Sequence, residues 1–323
     1  QVAAFVFGGL TWPQGFDEPV PGQPESPLQG AQVFNTVYAY APFDGDEVIE
    51  LTPASASVPA ARAAHTAVAV LGQGNTTLLF VYGGCTWFVR NYLQPSALAC
   101  NGTVLRDLWM FDTSAQLWRE LTLASAPAAG HMFHLAVWWQ SAMYVLLGTN
   151  TSVPATVAAQ PQLSTVWRLD GLDALVNNTN ASVTLLSWTK LAVEPPPQPV
   201  ASGRGAAAVA MDGSHLVVLV HSNSNLYSYS VVPDQAWTLL SHAPQWAETV
   251  AYTASGGFSM LSLGTAFLAF GQLSAQDSSD DNSFWQFQVH PANTQACAEL
   301  AILGALGPDT IAPFQCPAAP SVH

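Results

Sequence analysis

The feature that most constrains this 323-residue chain is a short apolar stretch, usually ending in glycine, that recurs along its length. The copies are FVFGG (5–9), FVYGG (80–84), YVLLG (144–148), LVVLV (216–220) and FLAFG (267–271). A second stretch follows each copy: NTVYAYAP (35–42), RDLWMFD (106–112), STVWRLD (164–170), NLYSYSV (225–231) and SFWQFQV (283–289). Large apolar residues alternate with other residues in these stretches, which is the period of a strand that buries one face.

Two further stretches complete the repeating unit. One follows the second stretch and mostly carries a Trp: EVIEL (47–51), LWREL (117–121), SWTKL (187–191) and AWTLL (237–241). The other precedes the glycine-ended stretch: AAHTAVAVL (63–71), MFHLAVWW (132–139), GAAAVAM (205–211) and GFSMLSL (257–263). Four short strands per unit, repeated about five times, predict an all-β propeller of four-stranded blades.

The repeat resembles the kelch family. The resemblance rests on the glycine pairs, on two tryptophans and on an Arg-x-x-His opening, namely Gly8, Gly9, Gly83, Gly84, Trp109, Trp118, Arg62 and His65. The glycines allow sharp turns at the strand ends, and the tryptophans are expected to fill the space between neighbouring blades. These are structural roles.

The resemblance implies a kelch-type β-propeller over residues 1–290. The predicted blades are 1–52, 60–121, 131–193, 204–244 and 256–290, and 291–323 is predicted to be a disulfide-tied tail or the start of a further module. Propellers of this family close with six or seven blades, and the first copy lacks its opening strand. We therefore expect the chain to be a segment of a longer protein.

The charge composition of the chain argues against two classes of binding partner. Charged residues make up 9% of the chain, and 21 Asp and Glu against 7 Lys and Arg leave a formal net charge of −14. Nucleic acids and anionic membranes require clustered Lys and Arg, so neither is an expected partner. The uncharged stretch 249–276 is long enough to cross a bilayer, but its scattered glycines favour two strands over a membrane helix.

Sequons and cysteines suggest the secretory pathway. Five Asn-x-Ser/Thr sequons predict N-linked glycans, at Asn75, Asn101, Asn150, Asn177 and Asn180. The four cysteines form two pairs that are close in sequence, Cys85 with Cys100 and Cys297 with Cys316. Disulfides of this kind form in oxidising compartments, so the predicted location is extracellular or at the cell surface.

Catalytic and metal chemistry finds little support in the residue pattern. His131 and His134 are the best-spaced histidines, but residues three apart on a strand face opposite sides, so we expect local hydrogen bonds and no metal. A copper enzyme of the galactose-oxidase type would need a Tyr–Cys crosslink, whereas each Cys has a nearby Cys partner. The acidic run 277–282 favours a solvated turn, with calcium at Asp277, Asp280 and Asp281 as the weaker alternative.

Three long segments fall at the same point of successive blades: 13–30, the Cys85–Cys100 loop and 149–163. Their clustering on one face predicts a binding surface. The predicted function is a non-catalytic structural or adhesion module that contacts other extracellular proteins, or further domains of its own chain, without a cofactor. A lectin-like or ligand-binding receptor domain is the alternative, and a galactose-oxidase-like enzyme is a further one.

Overall fold

The structure, a computed structural model, describes residues 4–11, 30–41, 47–90, 98–125, 130–132, 134–146, 148, 166–179, 186–191, 206–211, 215–222, 225–232, 236–242, 258–263, 266–271, 284–289 and 298–303. The chain divides into two compact units, Gln1–Ala192 and Val193–His323. Each unit consists mainly of antiparallel sheets, which confirms the predicted all-β class.

The first unit contains sixteen described strands and one short helix. The strands are β1 (Ala4–Phe7), β2 (Leu10–Thr11), β3 (Gly30–Val33), β4 (Val37–Ala41), β5 (Glu47–Leu51), β6 (Thr66–Leu71), β7 (Thr77–Tyr82), β8 (Phe88–Arg90), β9 (Leu98–Cys100), β10 (Leu108–Asp112), β11 (Leu117–Leu121), β12 (Leu123–Ser125), β13 (Leu135–Trp139), β14 (Ala142–Leu146), β15 (Val166–Asp170) and β16 (Leu186–Leu191). The helix α1 spans Asp173–Asn177 and follows β15.

These strands form four sheets. Sheet A has the order β1-β4-β5, and sheet B has the order β6-β7-β10-β11. Sheet C has the order β13-β14-β15-β16, and β12 joins it in parallel beside β16. A small fourth sheet, which we call the loop sheet, has the order β2-β3-β8-β9. The repeat pattern does not predict the loop sheet, because β8 and β9 lie in the predicted cysteine loop, and β2 and β3 flank the predicted loop 13–30.

Strand β7 explains how the core is built. Its residues are buried on both faces, because Leu79 and Val81 pack towards sheet A while Leu78, Phe80 and Tyr82 pack towards sheet C. A strand whose two faces are both covered by other sheets is expected to be apolar at every position. The sequence of β7, TLLFVY, is almost entirely apolar.

The tryptophans of the repeat lie between the sheets. Trp109 and Trp118 are each 5% exposed and pack with Phe7 of sheet A, and the rings of Phe7 and Trp118 are 4.9 Å apart. Trp188 of sheet C lies 5.0 Å from Tyr82 of sheet B. Aromatic side chains therefore occupy the space between successive sheets, as the repeat pattern predicted.

The second unit consists of two four-stranded sheets in its described residues. Sheet D has the order β17-β18-β19-β20, formed by Ala206–Met211, His215–Ser222, Asn225–Val232 and Ala236–His242. Sheet E has the order β21-β22-β23-β24, formed by Phe258–Leu263, Ala266–Gly271, Phe284–Val289 and Ala298–Leu303.

Sheet E bears on two expectations from the sequence. Strands β21 and β22 pair antiparallel, so the uncharged stretch contains the two predicted strands. Strand β24 pairs along its length with β23, which carries the sheet beyond the predicted boundary at residue 290. Among the described residues, no helix has the length and apolar character needed to cross a bilayer.

Candidate functional site

The glycine pair of one repeat contacts the Arg-x-x-His segment, or its equivalent, that begins the next repeat. Gly8, with φ of 63°, lies so close to His65 that a Cβ would stand 2.9 Å from the ring carbon Cε1. Gly83, with φ of 67°, has the same relationship to His134, again at 2.9 Å. A left-handed backbone in close contact with a neighbour accommodates only glycine without strain.

A repeated backbone hydrogen bond accompanies this contact. The N–H of Gly9 donates to the carbonyl of Arg62 at 3.0 Å, and the N–H of Gly84 donates to the carbonyl of His131 at 2.7 Å. The structure thus places His131 at the position that Arg62 holds one repeat earlier. Sequence analysis saw the histidine spacing but did not see this equivalence.

Arg62 is fully buried and makes several hydrogen bonds. Its guanidinium donates to both carboxylate oxygens of Asp107 at 2.7 Å, to the carbonyl of Gly83 at 3.0 Å and to the carbonyl of Ala60 at 3.0 Å. Trp109 Nε1 donates to the same carboxylate at 2.7 Å. Burial acts to raise the pKa of Asp107, but the hydrogen bonds and positive charge of Arg62 outweigh it, so this pKa lies below its ordinary value.

His131 and His134 both contact Tyr82. Their rings lie 6.1 Å and 5.3 Å from the Tyr82 ring and 6.2 Å from each other. The expectation that these histidines face opposite sides is therefore wrong, because they precede β13 and do not follow the strand alternation. Both histidines are hydrogen-bonded, but to residues distant in the chain: Tyr82 Oη lies 3.4 Å from His131 Nδ1, and Thr66 Oγ1 lies 2.7 Å from His134 Nε2.

Burial determines the ionisation of this cluster. It lowers the pKa of His134 well below the ordinary value, with further lowering by His131 and His65, and it raises the pKa of Tyr82. His134 and Tyr82 are therefore neutral at physiological pH. In the part of the chain that the structure describes, no three His, Cys, Asp or Glu side chains are arranged to hold a metal ion.

The loop sheet joins two of the three segments predicted to cluster. Strand β3, which ends the first long segment, pairs with β8 of the cysteine loop through Gly30–Val89 and Ala31–Phe88. The Cys85–Cys100 disulfide is present, as predicted, and belongs to the buried core of this sheet with Phe88. The third segment, 149–163, lies outside the described residues.

The opposite side of the β8–β9 hairpin is exposed. The register of the hairpin ends with Phe88 opposite Cys100. Just beyond it, Asn101 N–H and Gly102 N–H both donate to the carbonyl of Trp87, at 3.0 and 3.2 Å, so these two residues lie opposite Trp87 in the manner of a β-bulge. Trp87 is 49% exposed, and Asn101 is also exposed.

Sheet A has one buried and one exposed face. Phe7 and Val37 face sheet B and are 5% and 0% exposed. The other face, which we call the outward face, carries Val6, Tyr38, Tyr40, Val48 and the exposed Glu50 by the strand register. Val6 and Val48 are 54% and 62% exposed on this face.

The outward face corresponds to a buried face of the next repeat. Strands β1 and β4 align with β7 and β10, so Val6 corresponds to Val81. Tyr38 and Tyr40 correspond to Trp109 and Phe111 in the same alignment. In sheet B, Val81, Trp109 and Phe111 are at most 5% exposed, because these side chains pack against sheet A.

An open depression lies beside the Arg62–Asp107 pair. It has a volume of about 660 Å³ and is lined by Arg106, Asp107, Glu120, Leu121, Thr122 and Leu123. Side chains of both charges border it, which suits a polar ligand. Four of these lining residues fall in repeat stretches, but the repeat pattern concerns the apolar residues there and gave the charged ones no role.

The remaining predicted site residues are distributed as follows. Asn75 lies in a 3-10 turn, Gln73–Asn75, and Asn177 is exposed at the end of α1. Several others lie outside the described residues: Asn150, Asn180, Cys297, Cys316, Asp277, Asp280 and Asp281.

Comparison with known proteins relates the fold to solved structures. No protein-family description matches the chain, and no curated protein matches it in sequence. Among 139 matching solved chains is the structure of YjhT, with a TM-score of 0.54 and 16% sequence identity. The similarity covers 91% of this chain and 80% of YjhT. At this identity it shows an all-β, propeller-like fold, and the prediction that the chain is not an enzyme stays a prediction.

Proposed function

We propose that this chain is a kelch-type propeller segment that acts as a non-catalytic structural or adhesion module in an extracellular glycoprotein assembly. The outward face of sheet A carries this proposal. Apart from Glu50, which lies opposite Tyr38, it presents valine and tyrosine side chains at repeat positions that are buried in sheet B, and Val6 and Val48 are more than half exposed on it.

The chemistry of the face identifies the kind of partner. Valine and tyrosine side chains on a pleated surface pack against another sheet with apolar side chains, as Val81 and Trp109 pack against sheet A. We therefore propose that a further sheet of the same repeat covers the outward face. It belongs either to another extracellular protein or to another part of a longer chain that contains these 323 residues.

Two observations support the extracellular placement. The Cys85–Cys100 disulfide suits an oxidising compartment. Asn101 and Asn177 are exposed sequon residues, so their amides are accessible for N-linked glycans.

A ligand-binding receptor domain is the second candidate function. The loop sheet pairs the strand that follows the first long segment with the cysteine loop, and the depression beside Asp107 offers charges of both signs. Loops gathered on a rigid scaffold commonly carry binding sites. Binding of a polar ligand that is lost in Arg106→Ala and Glu120→Ala would favour this function.

Site-specific photo-crosslinking tests the proposal. A photoreactive residue replaces Val6 in the protein as its natural host makes it, and the crosslinked peptides are identified by mass spectrometry. We expect crosslinks to a sheet outside these 323 residues. The matched control replaces Leu71, which is 65% exposed at the end of β6, and should give no such product.

Other outcomes would contradict the proposal. Crosslinks from position 6 that all fall within the 323 residues would remove the need for a partner sheet. Bound copper together with a Tyr–Cys crosslink in the intact mass would indicate an enzyme of the galactose-oxidase type.

A further inference from the structure

Trp87 and Asn101 lie opposite each other just beyond the end of the β8–β9 ladder, joined by the hydrogen bond from Asn101 N–H to the Trp87 carbonyl, and both are exposed. Side chains of directly opposed residues in an antiparallel pair lie on the same face, with their Cβ atoms about 5 Å apart. Phe88 and Cys100, the next pair, point the other way and are 0% and 2% exposed. The indole of Trp87 and the amide of Asn101 are therefore neighbours in solvent.

The backbone around the sequon holds this pair in place. Asn101 N–H and Gly102 N–H both donate to the carbonyl of Trp87, at 3.0 and 3.2 Å. Thr103 N–H donates to Thr86 Oγ1 at 3.0 Å, and Thr86 N–H donates to the carbonyl of Thr103 at 3.2 Å. The Cys85–Cys100 disulfide links the residue before Asn101 to a residue two positions before Trp87.

Gly102 makes the close approach of the two strands feasible. A Cβ at this position would lie 2.5 Å from Thr86 Oγ1 and 2.7 Å from the backbone nitrogen of Trp87. The middle residue of the sequon is therefore the smallest one available, and the sequon backbone lies directly against Trp87.

We propose that Trp87 is a stacking platform for the first sugar of an N-linked glycan on Asn101. The inference rests on the extracellular placement in the proposed function. A sugar attached to the Asn101 amide emerges on the face that carries the indole, and the apolar C–H face of a pyranose packs well on an aromatic ring. This occupant explains why a large aromatic side chain is 49% exposed beside a sequon.

The modification itself requires an external donor. The amide nitrogen of Asn101 forms a bond to the anomeric carbon of a lipid-diphosphate-linked oligosaccharide. The bond from that carbon to the diphosphate oxygen breaks, the lipid diphosphate leaves, and the amide loses one proton. Trp87 takes no part in this transfer and acts on the finished glycan.

The first experiment measures protection of the glycan. The full chain is produced in a eukaryotic secretory host, and each sequon is examined by glycopeptide mass spectrometry. The native protein is then treated with a glycan-releasing amidase. We expect release from Asn101 to be several-fold slower than from Asn177, which is exposed at the end of α1. Trp87→Val should abolish the difference, and Trp87→Phe should retain most of it because the aromatic face remains.

The second experiment measures coupling between the two residues. Removing the glycan with Asn101→Gln should lower the Tm by roughly 2 °C when Trp87 is present, and by clearly less when Trp87→Val is also present. This cycle needs only folded protein, and Trp87→Thr, which also removes the aromatic face, replaces Trp87→Val if the latter fails to fold.

The outcomes separate this inference from the proposed function. An empty Asn101 beside an occupied Asn177, or release rates that do not depend on Trp87, would overturn the stacking inference alone. Empty sequons throughout would overturn both the inference and the extracellular placement. If Trp87 crosslinks to a protein partner while Asn101 carries a glycan, Trp87 binds that partner and the stacking inference is wrong.

Discussion

Arg62 and Asp107 form a bidentate ion pair with both N–O distances at 2.7 Å, although 45 residues separate them in the chain. The guanidinium has no solvent exposure, and the carboxylate side chain is 24% exposed. Arg62 also donates to the carbonyl of Gly83, so the pair connects the opening residues of sheet B with both the glycine turn and the start of β10. Its role in the structure is to hold these three segments together.

Asp107→Asn should destabilise the first unit by about 3–5 kcal/mol, because it leaves a buried guanidinium without its counter-charge. The matched control is Asp170→Asn, which removes the exposed ion pair with Arg168, whose side chains are 52% and 42% exposed. Exposed pairs contribute about 0–1 kcal/mol. Urea denaturation followed by fluorescence measures both variants, and equal effects would contradict the structural role of Arg62.

Gly83→Ala should cost more stability than Gly74→Ala. The two glycines have nearly the same φ, 67° and 70°, so the backbone strain of about 1–2 kcal/mol is common to both. A Cβ on Gly83 would meet His131 and His134, whereas a Cβ on Gly74 would meet nothing within 4 Å. In urea denaturation, Gly83→Ala should therefore lower the free energy of unfolding by about 1–3 kcal/mol more than Gly74→Ala does. Similar losses in the two variants would show that the contact with the next repeat is loose.

Stability should decline on acidification from pH 6.5 to about 4. Burial, and then the charge of Arg62, lower the pKa of His65 from 6.5 to about 4, with partial compensation by the backbone at Phe7. The unfolded chain therefore binds protons in this window and the folded chain does not, so the stabilisation present above pH 6.5 is lost as the pH falls.

His65→Gln should reduce this decline without abolishing it, because glutamine does not titrate whereas His134, whose pKa burial also lowers, still contributes below pH 6.5. Asp107 contributes in a separate window: its pKa is lowered in the folded state, so its contribution is lost only as the pH falls below the ordinary value of 3.8. Urea midpoints across a pH series measure both windows. A wild-type midpoint that stays constant from pH 6.5 to about 4 would contradict a buried, neutral His65.

Removing the Cys85–Cys100 disulfide should loosen the loop sheet. The bridge closes a loop with a sequence separation of 15, for which the expected stabilisation is about 3 kcal/mol. In Cys85→Ala/Cys100→Ala, amide hydrogen exchange should accelerate in β8 and β9 more than in β7 and β10. Uniform acceleration in all four strands would mean that the loop sheet does not open on its own.

Sequence alone predicted the parts of the fold that depend on neighbouring residues. Alternating side chains indicated most strands of the five large sheets, and the glycine pairs indicated turns, since Gly8, Gly9, Gly83 and Gly84 all have positive φ. The short separation of Cys85 and Cys100 indicated their disulfide. Each of these features is encoded within a few residues of chain, so local pattern was sufficient.

The candidate sites needed the tertiary structure. Asp107 lies in the repeat stretch RDLWMFD, but only the folded chain shows that it neutralises Arg62. The outward face of sheet A and the pairing of Trp87 with Asn101 depend on strand register. Sequence determined that this chain forms sheets of short strands with aromatic residues between them, because strand period and turn conformation are local. Only the tertiary structure decided which polar groups meet and which apolar face stays open, because those contacts join residues that are distant in the chain or opposed across a hairpin.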